Sequence, residues 1–447
     1  MNILIAGDNE VALHLAKLFA MENHNTTLIC PDKELLKVIE THSDLMTVVG
    51  DSTSRKTLLN ANIKKSDLLI SVLSDGRLNL LTSIMGKQLG AKLSIAKVDN
   101  YEYMETDCQL MYSDFGIDYL ISSEKIVVKE ITNLLKYTAA AEIFDFSDNQ
   151  LFLMLIRLEK GAPVIGKSLD QIAKEHKKLD YRSVAIHRRS ETIIPKGEDV
   201  FQENDMAYVV TKTGGIDHLL KLGGKERFEI NNIMIIGGGS IGSQTARQLE
   251  KQFNVKLFEM NKERSEYLTD MLQNTLIING DARDINLLED ERIGSMDAFI
   301  SVTNSSETNI LTCLLARKYG VKKTIALVEN LDYIEISQNI GIDTIINKKT
   351  AIASYIVRFT LKSQVLTTKC LTGIDAEVFE FVARAGSPVT KKPIKKLNFP
   401  DKAIIGGIVR DNKGYIAMGD FQIEENDKVV VFALPQAFHK VDKLFNA

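Results

Sequence analysis

The chain has 447 residues, 45% apolar and 26% charged, with a formal net charge of −4. At about 100–200 residues per domain this length predicts two to four domains, and the composition is that of a globular protein rather than a disordered one. No apolar run approaches the roughly 20 residues that span a bilayer, and no long Lys/Arg block exists to hold a phosphate backbone, so membrane-spanning and nucleic-acid-binding classes are set aside.

The first element, Ile3 to Ala6, reads as a strand entering a glycine turn at Gly7, not as a signal peptide, which points to a cytoplasmic protein. Further short apolar runs follow at Thr26 to Cys30, Thr47 to Gly50, Leu68 to Val72, Ser94 to Lys97 and Tyr119 to Ile121. Segments long enough for crossover helices separate them, so they are expected to be parallel strands buried on both faces. An amphipathic stretch, Ser122 to Lys136, then carries Val127, Ile131, Leu134 and Leu135 on one face. Strands at Leu151 to Leu158 and Met206 to Thr211 belong to a smaller α+β module.

The same series then recurs. Strands are expected at Ile233 to Ile236, Val255 to Glu259, Leu276 to Asn279, Ala298 to Val302, Thr324 to Val328 and Thr344 to Ile346. An apolar-faced stretch from Thr350 to Lys362, with Ile352, Ile356, Val357 and Phe359, and strands at Val378 to Val382 and Lys428 to Ala433 complete the second series. A shift of 230 residues aligns Gly7 with Gly237, Gly50-Asp51 with Gly280-Asp281, Asn79 with Asn309 and Asn100 with Asn330. The shift falls to 225 for Gly116-Ile117-Asp118 and Gly341-Ile342-Asp343, which places five extra residues between Met104 and Asp114 of the first copy. It is 222 for Glu203-Asn204-Asp205 and Glu425-Asn426-Asp427. The fold class is therefore α/β: two doubly wound, Rossmann-like parallel-sheet domains, each followed by a small α+β domain. Each linking stripe must be covered, by its own domain or by exchange with a partner.

In the second copy the strand Ile233 to Ile236 runs into Gly237-Gly238-Gly239-Ser240-Ile241-Gly242 and a helix. This is the G-x-G-x-x-G context of a dinucleotide site: a tight turn, an unobstructed approach for a pyrophosphate, and close helix packing. Glu259 ends the next strand, where a carboxylate accepts from ribose hydroxyls and disfavours a 2′-phosphate. Asp281 follows the third strand, and Thr303-Asn304 the fourth. The first copy reads Gly7-Asp8-Asn9-Glu10-Val11-Ala12, with Cys30 at the ribose-acid position and Asp32 two residues on. Two extra carboxylates near a pyrophosphate repel it, so this cleft is expected to be structural or differently selective.

Gly161-Ala162-Pro163-Val164-Ile165-Gly166-Lys167-Ser168 satisfies the P-loop pattern, but Pro163 removes an N–H and Val164-Ile165 reads as extended and buried, so the match is taken as accidental. The four cysteines, Cys30, Cys108, Cys313 and Cys370, form no CxxC pair, so no metal cage or disulfide framework is expected. The seven histidines stand at 14, 24, 42, 176, 187, 218 and 439. His176 and His187 fall in polar surroundings and are expected to face solvent. No catalytic constellation of a dehydrogenase is found; an NAD-dependent oxidoreductase remains the alternative reading, and a sensor whose small modules hold a cyclic dinucleotide is a third.

Two glycine-loop folds with small modules, Gly-Asp after the third strand, and the run Thr303-Asn304-Ser305-Ser306-Glu307-Thr308-Asn309 together resemble the tandem RCK (regulator of potassium conductance) family of bacterial Trk-type potassium uptake, over essentially the whole chain. The resemblance implies Rossmann-like domains at 1–121 and 230–348, linking helices at 122–138 and 349–368, and small domains at 139–224 and 369–447. It implies no catalysis. It further implies a cytoplasmic, peripherally membrane-associated subunit in a homo-oligomeric ring, dimer or tetramer. That ring would dock on a potassium-translocating membrane subunit (TrkH/TrkG-like) and respond to NAD(H), with ATP or ADP as further ligands. The implied nucleotide positions are Gly237, Gly238, Gly239, Ser240, Ile241, Gly242, Glu259, Asp281, Thr303, Asn304, Val328 and Glu329 in the second copy. In the first they are Gly7, Asp8, Asn9, Glu10, Val11, Cys30, Asp51, Leu73, Ser74 and Val98, with departures from the family pattern at Asn9, Cys30, Leu73 and Ser74.

Overall fold

The computed structural model describes residues 1–21, 24–40, 45–99, 101–136, 142–175, 180–189, 191–225, 228–357, 359–360, 365–371, 374 and 376–446. Asn100, His42, His176 and the ends of both expected linking helices (137–138 and 361–364) lie outside the described residues.

The first fold runs β1 (Asn2–Ala6), α1 (Glu10–Met21), β2 (Asn25–Cys30), α2 (Lys33–Glu40), β3 (Met46–Val49), α3 (Arg55–Asn60), β4 (Leu68–Ser71), α4 (Gly76–Leu89), β5 (Leu93–Lys97), α5 (Thr106–Asp114) and β6 (Tyr119–Ile121), with α6 (Ser123–Lys136) after it. The first small module holds β7 (Glu142–Phe146), β8 (Leu151–Arg157), α7 (Leu169–Glu175), β9 (Tyr181–Arg188), β10 (Glu191–Ile193), β11 (Met206–Lys212) and α8 (Ile216–Leu222). The second fold repeats the first as β12 (Asn232–Ile236), α9 (Ser240–Leu249), β13 (Asn254–Glu259), α10 (Lys262–Met271), β14 (Thr275–Asn279), α11 (Ile285–Asp290), β15 (Ala298–Ser301), α12 (Ser306–Lys318), β16 (Lys323–Leu327), α13 (Asp332–Asn339) and β17 (Thr344–Ile346). Then come α14 (Lys348–Val357), β18 (Val365–Cys370), β19 (Glu377–Val382), β20 (Ala403–Arg410), β21 (Lys413–Ile416), β22 (Lys428–Ala433) and α15 (Phe438–Phe445).

Both larger sheets are parallel, with orders β3-β2-β1-β4-β5-β6 and β14-β13-β12-β15-β16-β17. The order reverses beside β1 and β12, and the crevice beyond the carboxyl ends of those strands is where an open α/β sheet binds ligands. Every residue of β4 and every residue of β16 is buried, as helices on both faces require. The small sheets are antiparallel, β10-β9-β11-β8-β7 and β18-β19-β22-β20-β21. Leu151, Leu153 and Leu155 of β8 share one core with Val378, Val430 and Phe432, while the alternate residues Phe152, Met154 and Ile156 point to the other face.

The chain packs as two compact units, residues 1–127 with 348–360, and residues 128–347 with 361–447. The helix α14 thereby belongs with the first fold, while α6 begins in the first unit and continues into the second after Val127. In the first unit the ring of Phe359, just beyond α14, lies tilted against that of Tyr119 with 4.3 Å between centres, and Lys349 of α14 pairs with Glu10 of α1. In the second unit Thr132 of α6 meets Gln248 of α9 at 3.3 Å, and Glu130 pairs with Lys369 of β18. The stripe Val127, Ile131, Leu134 and Leu135 is buried throughout.

Several expectations are corrected. The helix expected over 349–368 ends at Val357, and β18 occupies Val365–Cys370, because β-branched Val365, Thr367 and Thr368 pair with β19. Val164-Ile165 is not extended: residues 163–166 form turns, and Lys167 pairs with Glu175 at 2.6 Å. His187 is not solvent-facing but 7% exposed, with Nδ1 3.2 Å from the Thr192 hydroxyl. The repeated Glu-Asn-Asp is a turn: Asn204 and Asn426 take φ of 68° and 67°, and buried Asp205 and Asp427 each clamp an arginine, Arg188 or Arg410, at 2.7 Å.

Candidate functional site

At the second glycine loop Gly237 adopts φ 100° and packs on Thr303, where a Cβ would stand 3.2 Å from the Thr303 Cα. A Cβ on Gly242 would lie 1.9 Å from the Gly237 carbonyl oxygen, so α9 can approach the strand only with glycine there. Gly239 differs in kind. A Cβ there would meet nothing within 4 Å, and no side chain caps the first turn of α9. Protein packing makes no demand for glycine at that position, and its bare backbone leaves the first N–H groups of α9 accessible to an anion.

Glu259 ends β13 with each carboxylate oxygen held by one backbone N–H: Gly238 donates to Oε2 at 2.9 Å and Asn261 to Oε1 at 2.7 Å. A carboxylate oxygen accepts more than one hydrogen bond, so each can take a further donor. Asn261 caps α10, its Oδ1 accepting from the Arg264 N–H at 2.9 Å, and the Arg264 Nε donates to the Gly238 carbonyl at 3.0 Å. Asp281 lies two residues beyond β14 and is bound by Arg283, which holds its carboxyl below the usual carboxylate range. Asn304 and Glu329 are exposed at the rim, Val328 is buried, and the Glu329 N–H donates to the Ser306 hydroxyl at 3.0 Å.

The far side of the cleft is set by Asn309, which the sequence marks only as a repeated residue. Buried at 1% exposure, it accepts at Oδ1 from the Thr303 N–H, the Thr303 hydroxyl and the Ser301 hydroxyl. Its Nδ2 donates to the carbonyls of Thr303 and Leu327 at 3.0 and 2.8 Å. It thus ties the ends of β15 and β16 together. Asn79 does the same in the first copy, bonding Leu73 N–H, Leu73 C=O and Lys97 C=O. The signal was present in the sequence as an Asn repeated at the 230-residue shift.

The first glycine loop is closed by its own side chains. The Asn9 Oδ1 accepts from the N–H groups of Val11 and Ala12 at 3.0 and 3.3 Å, and its Nδ2 donates to the Val72 carbonyl at 2.7 Å. Asn9 is therefore an N-cap sitting where a phosphate would take those same donors. Asp8 accepts from the Ser74 N–H and hydroxyl at 2.7 and 2.9 Å, and Glu10 is paired with Lys349. Cys30 occupies the place of Glu259: β1 pairs Ala6 with Ile29 as β12 pairs Ile236 with Phe258. Burial pushes its thiol up. Asp32 supplies no substitute acid, because its Oδ1 caps α2 through the Glu34 N–H at 2.8 Å. Asp51 is turned back on Thr53, while Leu73 and Val98 are buried. Asn9, a departure from the family pattern at the second glycine position, is a fitted cap. Among the described residues no group of histidine, cysteine and carboxylate side chains could hold a metal, and no helix is long and apolar enough to cross a membrane.

The TrkA-N domain matches residues 3–123 and 233–348, and the TrkA-C domain matches 153–223 and 378–446. Among curated proteins, a Trk system potassium uptake protein TrkA of Haemophilus influenzae is 30% identical over 453 residues, covering all of this chain and 98% of that protein. A TrkA homolog of Archaeoglobus fulgidus is 31% identical, with both chains fully covered. Among solved structures, the GsuK RCK domain superposes with a TM-score of 0.60 at 16% identity, over 99% of this chain and 94% of that one. The GsuK channel bound to NAD superposes equally well, over 99% and 78%. These two likenesses show a shared tandem fold. With both domain types matched twice, across more than half of its length, and with relatives that span all of it, the chain belongs to the TrkA family of Trk-system potassium uptake proteins.

Proposed function

We propose that this protein is the nucleotide-sensing regulatory subunit of a potassium-uptake transporter, with its working nucleotide site in the second fold. The contrast between the two loops carries the reading: the first turn of α9 is uncapped beside a fixed Glu259, whereas that of α1 is filled by Asn9. GsuK, alike in fold, has been seen with NAD and, at a TM-score of 0.51, with ADP, which favours NAD(H) with ATP or ADP as further ligands. In this reading the N–H groups of Ser240, Ile241 and Gly242 take the pyrophosphate, Glu259 the ribose, and Thr303-Asn304 the far end of the ligand. The relatives carry the names of potassium uptake proteins and not of oxidoreductases, and the chain is a regulator rather than an enzyme.

The finer reading is a homo-oligomeric ring docked on a TrkH/TrkG-like membrane subunit. Leu81, Met111 and Phe115 on or just after α4 and α5 are exposed, and the equivalent Leu311, Ile336 and Ile340 on or just after α12 and α13 are exposed as well. Each chain therefore carries two equivalent apolar faces, and contact between such faces of separate copies closes a ring without new chemistry. A nucleotide shifts the ring only if it binds one state better than the other; a coupling of about 1–3 kcal/mol changes transporter opening about 5- to 150-fold.

The test titrates NADH, NAD, ATP and ADP against the wild type, Gly239→Asp and Glu259→Ala, and measures potassium uptake by the same variants. Both substitutions are expected to weaken binding and to remove nucleotide control together. Nucleotide control that persists once binding at this loop is abolished would refute the sensor reading.

A further inference from the structure

We infer that Arg264 completes the adenosine end of the second nucleotide site, its guanidinium receiving the adenine ring while Glu259 receives the ribose. The inference rests on the nucleotide site proposed above. One glycine residue holds both side chains: the Gly238 N–H donates to the Glu259 Oε2 at 2.9 Å, and the Gly238 carbonyl accepts from the Arg264 Nε at 3.0 Å. A Cβ at Gly238 would lie 2.8 Å from that same Oε2 and 2.4 Å from the Leu268 Cδ1, so this middle glycine serves the clamp and not the turn. Asn261 joins the set, donating its N–H to the Glu259 Oε1 and accepting from the Arg264 N–H. Arg264 is half-buried, and its Cζ stands 4.9 Å from the centre of the Tyr267 ring. A planar cation fixed along one edge and set over one ring is preorganised to take a second aromatic ring, and little side-chain entropy remains to be lost when it does.

The first copy shows that the arrangement is not needed by the fold. The strand register equates Cys30 with Glu259, and the two helix caps equate Asp32 with Asn261. Leu35 then stands for Arg264 and Asp8 for Gly238. The loop, the strand and the capped helix are all kept, while glycine, carboxylate and guanidinium are lost together. A residue serving only the framework would have no reason to disappear with the ribose acid and the open loop.

The experiment titrates NADH, ADP and reduced nicotinamide mononucleotide, which lacks the adenosine half, against wild type, Arg264→Met and Arg264→Lys, with ligand-free melting curves to establish that the variants fold. Loss of a base-stacking partner predicts binding of NADH and ADP weakened by about 5- to 150-fold in Arg264→Met. Arg264→Lys should be nearly as weak, because it keeps the charge and loses the plane, and affinity for the mononucleotide should not change. NADH binding within twofold of wild type in Arg264→Met would overturn the inference, as would an equal loss for the mononucleotide, which would put the guanidinium at the phosphates. A wild type that bound none of the three would instead overturn the site itself, and this inference with it.

Discussion

Replacing Asn309 by Asp alters almost nothing in shape and reverses one group in chemistry. The amide Nδ2, which donates to the carbonyls of Thr303 and Leu327, becomes an oxygen facing two oxygens, at a position 1% exposed. Two buried carbonyls lose their donor at about 1–3 kcal/mol each, so Asn309→Asp should destabilise the second fold by about 2–6 kcal/mol. Burial disfavours the ionised form, so the new carboxyl should titrate above its ordinary range; when protonated it can donate one of the two lost bonds. The unfolded chain then holds fewer protons than the folded one between the two pKa values, and the deficit against wild type should grow as pH rises from about 5 to 8. Urea unfolding at several pH values measures this, and a nucleotide titration should show weaker binding, because Thr303 is positioned by the same amide. Asn309→Asp with wild-type stability at pH 8 would refute the claim that this side chain ties the two strand ends together.

Two further outcomes follow from other parts of the molecule. Burial pushes the Lys323 ammonium down to about 8 despite the nearby Asp343 and Glu142, so between about pH 8 and 10.4 the unfolded chain binds the extra proton and this group makes stability rise with pH. Keeping it charged at pH 7 costs about 3 kcal/mol, and Lys323→Met should therefore raise the unfolding midpoint at pH 7 and flatten that alkaline slope; a lower midpoint at pH 7 would count against it. The pair Leu311→Asp and Ile336→Asp, at residues 65% and 59% exposed, should lower the oligomer size seen by light scattering without altering the ligand-free melting curve. An unchanged assembly would remove that face from the proposed ring.

The duplication and both doubly wound sheets could be read from the chain, because strand burial on two faces forces uninterrupted apolar runs and the repeat keeps them at one spacing. Gly237 and Gly242 were legible for the same reason: a turn and a close packing each demand glycine at a set distance along one strand-turn-helix unit. Other features depended on partners far away in sequence. Asn9 looks like a damaged glycine until Val72, 63 residues on, accepts its amide and the first turn of α1 takes its oxygen. Asp32 looks like a displaced ribose acid until it is seen capping its own helix. The apolar stripe of each linking helix states only that it must be covered; what covers it is decided by packing between segments distant in sequence, and α14 lies with the first fold although it follows the second. Local geometry repeats with the sequence and can be read from it, whereas hydrogen-bond closure and burial between distant segments exist only once the chain has folded.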